Sequence, residues 1–258
     1  MIGIIGAGNM GKAIAARMDE KVMMSDTVRS KLRVRGKGRI SAARDNIDLV
    51  KRSKVIILAV KPQNITAVLK EIKPYISGQL IISIAAGIKT IFIEKALGRV
   101  RVVRVMPNMP ALVGKGISAV TAGRSAHRKD IVIARGIFSK LGDVVEVRES
   151  LIDAVTALSG SGPAYYFLFT DLLIEAGIKI GLKKGIARKL AMATFIGAAE
   201  SARTSHISMR DFVKRVASKG GTTEAALNVF KKKKLGYIVE QAVKAARKRS
   251  QGLNREWI

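Results

Sequence analysis

The densest chemical signal lies at the start of the chain, where Gly6-Ala7-Gly8-Asn9-Met10-Gly11 follows the apolar run Ile2 to Ile5 and opens a helical stretch, Lys12 to Met18. In that context each glycine has its own task. Gly6 permits a tight turn, Gly8 lets the backbone approach a pyrophosphate, and Gly11 lets helix and strand pack closely. The helix N-terminus then faces the phosphates with its N–H groups and positive end. The next apolar run ends in Met23-Met24-Ser25-Asp26, followed by Thr27-Val28-Arg29-Ser30-Lys31. An acid at this strand end commonly holds the ribose hydroxyls of NAD, whereas hydroxyls and cations accommodate the 2′-phosphate of NADP. Ser25, Arg29 and Lys31 favour NADPH, with Asp26 turned outward as the cap of a following helix; NADH stays open as the alternative. Ala59, Val60, Lys61 and Pro62 after one strand, and Ala85 and Ala86 after another, lie where strand ends line a cofactor crevice, although each also reads as a tight strand-to-helix turn.

Other chemistries have little material. The chain has no cysteine and two histidines, His127 and His206, which excludes disulfides and thiolate metal sites and leaves little for a histidine metal centre. An organic cofactor and no metal are expected.

The elements that must position these residues divide the chain in two. Up to about Val147, apolar runs (Ile2 to Ile5, Val22 to Ser25, Val55 to Val60, Leu80 to Ile84, Arg101 to Val105) alternate with helical stretches such as Gly11 to Met18 and Asn64 to Lys73. Runs that are apolar throughout suit strands buried on both faces, and their alternation with helices predicts a doubly wound parallel sheet over residues 1–148. Residues 149–258 lack strand-like runs and predict helices near Leu151 to Ile180, Lys184 to Ser201, Met209 to Val216, Thr222 to Lys232 and Leu235 to Ser250. The stretch Ala164 to Ile180 is apolar on nearly every side, and a domain of this size has little interior to cover it. Burial against a second subunit is the economical expectation.

The 258 residues carry 47 Lys+Arg against 19 Asp+Glu, a net charge of +28. The basic residues are spread along the chain, with concentrations at Arg29 to Arg39 and Lys231 to Lys234, and only 5% of residues are aromatic and able to stack on bases. That pattern reads as solvated basic faces with some attraction for anionic substrates, with no specific nucleic-acid partner expected. The longest apolar runs fall well short of the roughly 20 residues of a membrane span, and the N-terminus has no secretory signal, so a cytoplasmic protein is expected.

Two further segments are distinctive. Met106-Pro107-Asn108-Met109-Pro110-Ala111-Leu112-Val113 and Asp153-Ala154-Val155-Thr156-Ala157-Leu158-Ser159-Gly160-Ser161-Gly162-Pro163-Ala164-Tyr165, together with Ser218-Lys219-Gly220-Gly221-Thr222-Thr223-Glu224-Ala225, closely resemble the motifs of pyrroline-5-carboxylate reductases. With the N-terminal fingerprint, the resemblance runs nearly the whole chain in the same order. It implies a Rossmann-type sheet followed by an all-helical domain that binds substrate and interlocks with a partner subunit, in dimers that often assemble further.

By the resemblance, cofactor contacts fall on Gly6 to Gly11, Ser25, Asn46, Ala59 to Pro62, Ala85, Ala86 and Asn108. The substrate, 1-pyrroline-5-carboxylate, lies against Ser161, Gly162 and Pro163 and the turn Ser218, Gly220, Gly221, Thr222, with Glu149 a weaker candidate. Thr223 matches the family threonine that hydrogen-bonds the ring nitrogen. The Gly220-Gly221-Thr222 turn before a helix also offers N–H groups to a carboxylate, while on residue pattern alone it equally reads as a simple helix start. Lys219 departs from the family, which usually has proline there. The glycines around Ser161 sit inside a helical pattern at a cost of up to about 1 kcal/mol each, which suggests close approach of ligand or of another backbone. Another Rossmann-plus-helical reductase, acting on a different imine or on a β-hydroxyacid, is the alternative; a basic NAD(P)-binding protein associated with nucleic acid is the more distant one.

Overall fold

The computed structural model describes residues 1–32 and 39–256. Part of the basic concentration expected at Arg29 to Arg39, residues 33–38, therefore lies outside the described residues. Eight strands form one sheet: β1 (Ile2–Ile5), β2 (Val22–Ser25), β3 (Ile40–Ala42), β4 (Val55–Leu58), β5 (Leu80–Ser83), β6 (Arg101–Met106), β7 (Gly116–Ala122) and β8 (Gly142–Glu146). Their order is β3-β2-β1-β4-β5-β6-β7-β8. The first six positions are parallel in the doubly wound order, and strand order reverses at β1, which pairs with β2 through Gly3↔Met23 and with β4 through Gly3↔Ile56. The parallel expectation holds up to β6. β7 then runs antiparallel to β6, and β8 is parallel to β7.

The connecting helices are α1 (Asn9–Arg17), α2 (Asn46–Arg52), α3 (Ile65–Ile72), α4 (Thr90–Leu97) and α5 (Arg128–Phe138). Because successive strand side chains point to opposite faces, the sheet separates two cores. Ile4, Met24, Ile57, Ile82 and Val103 meet α1 and α5 through Ile14, Ile131 and Phe138. Ile5, Met23, Ile56, Ile81 and Val102 meet α2, α3 and α4 through Leu49, Leu69 and Ile93. Burial on both sides is why every residue of β1, β2 and β5 is buried and why all of them are apolar but the last of β2 and β5, Ser25 and Ser83.

Beyond β8 follow α6 (Ile152–Val155), a π-turn at Thr156–Gly160, α7 (Gly162–Lys179), α8 (Lys184–Arg203), α9 (Met209–Val216), α10 (Thr222–Lys232) and α11 (Leu235–Glu256). The chain forms two compact units, Met1–Ser161 with Ala245–Ile258, and Gly162–Lys244. The sequence expectation placed the division at 148/149. The segment between stays with the sheet unit because Asp153 accepts a 2.7 Å hydrogen bond from Ser250 of α11 and Ser159 accepts one of 3.4 Å from Asn108.

Within the helical unit, α7 and α8 form a hairpin that turns at Gly181, whose φ of 102° is left-handed. Tyr166 stacks on Phe195 at 5.8 Å between ring centres, and Phe169 meets Phe230 at 6.2 Å. Much of α7 has no cover from this chain: Tyr166 is 63% exposed, Leu168 61% and Leu172 51%, and Ile196 on α8 is 61% exposed. Among the described residues, no helix is long and apolar enough to cross a membrane.

Candidate active site

The three fingerprint glycines differ in what surrounds them. Gly6 has φ +108°, and a Cβ there would lie 2.6 Å from the carbonyl oxygen of Ala59, the residue after β4. At Gly11 a Cβ would lie 2.1 Å from the Gly6 carbonyl oxygen, so only glycine lets α1 start this close to the turn. At Gly8 a Cβ would meet nothing within 4 Å. Gly8 therefore borders open space at the N-cap of α1. A cleft of about 670 Å³ opens here, lined by Gly6, Gly8, Ala59, Val60, Lys61 and Asn64 among others. Pro62 begins a short 3₁₀ turn after β4, and the side chain of Ala85 is buried after β5, leaving the partly exposed Ala86 toward the rim.

Asp26 takes a different part from the ribose ligand of an NAD site. One carboxylate oxygen accepts the Ala7 N–H at 2.8 Å, and the other accepts the Val28 N–H at 2.9 Å. Lys31 stands 3.8 Å from the second oxygen. The acid thus braces the fingerprint turn and caps its own loop, as the outward-capping reading of the sequence anticipated in part. Ser25 is buried and donates to Asn46 Oδ1 at 2.6 Å, and Asn46 Nδ2 donates to Glu71 at 2.7 Å. Gln63, Asn64 and Glu71 also line the cleft without having been singled out in the sequence, because nothing in their type or spacing distinguishes them from solvated residues at the start and surface of α3.

Asn108 sits just past β6, where its Oδ1 accepts the Ile117 N–H at 3.0 Å and its Nδ2 reaches Ser159. The helical pattern around Ser161 resolves into a π-turn closed by Ser161 N–H to the Thr156 carbonyl at 2.8 Å. Such one-turn π segments concentrate at functional sites. A Cβ on Gly160 would lie 2.8 Å from Met106 Cε, so this glycine answers a close approach to the end of β6. Gly162, by contrast, has nothing within 4 Å of a built Cβ, and Pro163 follows it into the first turn of α7.

Glu149 is committed within the sheet unit. Its two oxygens accept the Thr90 N–H and hydroxyl, both at 2.8 Å, and Arg104 of β6 donates to it at 3.3 Å. The Arg104 side chain is 3% exposed, and burial lowers its pKa while the Glu149 carboxylate pulls it back up. Glu149→Ala is expected to lower stability by about 3 kcal/mol, since it strands a buried guanidinium, whereas Glu149→Gln keeps acceptor capacity for Thr90 and costs less. Urea unfolding of the two variants reads the difference. Equal, small losses would show that Arg104 finds another partner.

The turn before α10 is built differently from the simplest expectation. Gly220, at φ +72°, donates its N–H to Glu224 Oε2 at 2.7 Å, and Gly221 donates to the Ser218 carbonyl at 3.0 Å. The glycine N–H groups expected to meet a carboxylate are thus taken within the turn. The helical ladder begins with Ala225 N–H to the Gly221 carbonyl at 3.1 Å, so the N–H groups ahead of it are those of Thr222, Thr223 and Glu224. The N–H groups at the positive end of α10 thus lie two residues further on than the glycine turn suggested, and Thr223 stands in its first turn. A Cβ on Gly221 would lie 2.5 Å from Ser218 Oγ, which explains why glycine stands there.

A glycine fingerprint at the first turn of a doubly wound sheet, with a cleft at the strand-order reversal, defines a dinucleotide-dependent oxidoreductase with a helical second unit. Comparison with known proteins narrows the class. Residues 149–253 match the family model for pyrroline-5-carboxylate reductase dimerisation, and residues 1–87 match that for NADP oxidoreductase, coenzyme F420-dependent. The pyrroline-5-carboxylate reductase of Synechocystis sp. is 38% identical, with 99% of this chain and 98% of the relative covered. The crystal structure of Plasmodium falciparum pyrroline carboxylate reductase with NADP bound is 31% identical with a TM-score of 0.87, covering 98% of this chain and 97% of the other. The reductase from Coxiella burnetii superposes with a TM-score of 0.91 at 35% identity, with the same coverage. The chain belongs to the pyrroline-5-carboxylate reductase family.

Proposed function

We propose that this protein reduces 1-pyrroline-5-carboxylate to L-proline with NADPH, working in the cytoplasm as a homodimer or larger homo-oligomer. The observation that carries the reading is end-to-end likeness, 38% identity over 99% of the chain, to a reductase of that name, with the fingerprint, the Asn108 loop, the Ser161-Gly162-Pro163 turn and the Thr222-Thr223 helix start all present. The residues fit the cofactor: Gly8 leaves room for the pyrophosphate, and Asp26 is spent on Ala7 and Val28, leaving the exposed Arg29 for the adenosine end.

When bound, NADPH supplies hydride from C4 of its nicotinamide to the imine carbon, and the ring nitrogen takes one proton. No metal or strong base is needed for that balance. The Thr223 hydroxyl hydrogen-bonds the ring nitrogen and relays a proton to it from water, and the substrate carboxylate lies against the leading N–H groups of α10. The small side chain of Ala86 lets the nicotinamide ribose lie close to the backbone after β5. The test is NADPH oxidation on addition of pyrroline-5-carboxylate, repeated with NADH. Turnover with NADPH and proline as product are expected, and no turnover with either coenzyme would overturn the proposal.

The oligomer rests on α7 and α8. An apolar helix left about half exposed by its own chain is what a second subunit would cover. Light scattering on the purified protein is expected to give a dimer or larger at micromolar concentration. A stable monomer would contradict it.

A further inference from the structure

Beyond the fingerprint cleft, the sheet unit carries two more hollows that follow one another along the ends of β2 and β3. The first, of about 250 Å³, shares Asp26, Thr27, Asn46 and Glu71 with the fingerprint cleft. The second, of about 580 Å³, shares Arg29, Leu32, Ala43 and Arg44 with the first. Through these shared residues the hollows lead from Gly8 past the end of β2 to a place lined by Arg29, Arg44, Leu32, Ala42 and Ala43. A course of that kind suits one half of a dinucleotide: diphosphate, ribose, then adenine with whatever the 2′-position carries.

The carboxylates along this groove are already engaged. Asp26 holds the N–H groups of Ala7 and Val28, Glu71 accepts from Asn46, Asp45 caps α2 by accepting the Asp48 N–H at 2.7 Å, and Asp48 pairs with Arg52 at 3.7 Å. Arg44 is anchored by its backbone, whose N–H donates to Asp48 at 3.2 Å. Its side chain is 80% exposed and only loosely paired, with Nε 3.6 Å from Asp45. An exposed pair of that kind contributes little and yields readily to a stronger anion. Two guanidiniums beside apolar residues are suited to a phosphate dianion and to stacking on a purine, whereas an uncharged ribose hydroxyl offers them only a weaker, neutral acceptor.

We infer that Arg44 is a coenzyme-specificity residue of this chain: with Arg29 it forms the cationic wall of the groove that receives the 2′-phosphate of NADPH. This rests on the reductase reading for the cofactor and adds to it a residue that the sequence pattern did not distinguish from a solvated helix-flanking arginine.

The inference is tested on the whole protein by calorimetric titration with adenosine 2′,5′-bisphosphate and with AMP, ligands that differ only at the 2′-position. Arg44→Ala is expected to weaken the bisphosphate roughly tenfold, the loss of one charge-assisted contact of about 1.4 kcal/mol, and AMP by less than about twofold. Arg44→Lys, which keeps the charge without the planar fork, should recover part of the loss. Arg29→Ala should act in the same direction, and the double variant should lose more bisphosphate affinity than either. Equal loss for both ligands, or an Arg44→Ala variant that binds the bisphosphate like the parent, would overturn the assignment while leaving the reductase reading in place. If the parent itself bound the bisphosphate no better than AMP, the assignment would fall together with the NADPH preference, and turnover with NADH would then show whether the reductase reading survives.

Discussion

Replacing Gly11 with alanine is expected to cost this protein most of its NADPH affinity, on the order of a hundredfold or more. The added Cβ would sit 2.1 Å from the Gly6 carbonyl oxygen and 3.3 Å from its carbon, both backbone atoms in the middle of the fingerprint turn. No side-chain rotamer relieves such a contact. Either α1 moves away from β1 or the turn shifts, and a displacement of about 1 Å at a positioned ligand is enough for losses of that size. The overpacking itself costs about 1–3 kcal/mol of stability, because Ile14 and Ala15 of α1 are locked in the core beneath. Gly8→Ala is the informative comparison. Nothing lies within 4 Å of its built Cβ, so the protein should keep its stability and yet bind NADPH weakly, the methyl group occupying the space meant for phosphate. Calorimetric titration with NADPH and urea unfolding on both variants separate the two effects. A Gly11→Ala protein that bound NADPH within threefold of the parent would show that the pyrophosphate does not lie on this turn.

The second large effect concerns turnover. Thr223→Val keeps shape and removes one hydroxyl, and it is expected to lower kcat by roughly ten- to a hundredfold, the loss of one positioned hydrogen bond or proton relay of about 1.5–3 kcal/mol. Thr223 is the second residue of α10, and Gly221 rather than Thr223 is the N-cap, so the hydroxyl is not needed to start the helix. That separates the chemical reading from the capping one. NADPH affinity should be unchanged, because the fingerprint is in the other compact unit. Apparent substrate affinity should fall less than the rate, since the carboxylate still meets the leading N–H groups of α10. Steady-state kinetics that matched the parent would leave Thr223 as an ordinary helix residue, with the proton coming from water or another group.

How far the residues foretell this arrangement depends on how local each signal is. The parallel core strands were legible because burial on both faces demands runs such as Val55 to Leu58 that are apolar throughout. The helices from Lys184 onward matched within a few residues because glycine breaks and capping residues punctuate them. The strands that escaped notice are the ones whose environment dilutes the pattern: β3 has three residues with two exposed, β8 is an edge strand with a mixed face, and β7 opens on a glycine and carries small residues. The π-turn was readable only as an unusual density of glycine, since the residues packed around it, such as Met106 beside Gly160, are some fifty positions away in sequence.

The site shows the same division. Gly6, Gly8 and Gly11 carry their roles in their spacing. Glu149 does not, because its partners, Thr90 and Arg104, come from α4 and β6 and turn a candidate substrate ligand into an anchor for the segment that follows. The side chain of Glu224 likewise reaches back to the Gly220 N–H, which no spacing rule distinguishes from a first-turn acid favoured by the helix dipole.

The central claim is that hydride passes directly from the coenzyme held at the Gly6 to Gly11 turn to the imine carbon of the substrate. It is tested most directly by supplying NADPH deuterated at C4 of the nicotinamide, in each of its two stereochemical forms, together with pyrroline-5-carboxylate, and analysing the proline by mass spectrometry and NMR. One form is expected to deliver a single deuterium to the ring carbon that was doubly bonded to nitrogen, and the other to deliver none. Proline without deuterium from either form, or no proline at all, would contradict the account.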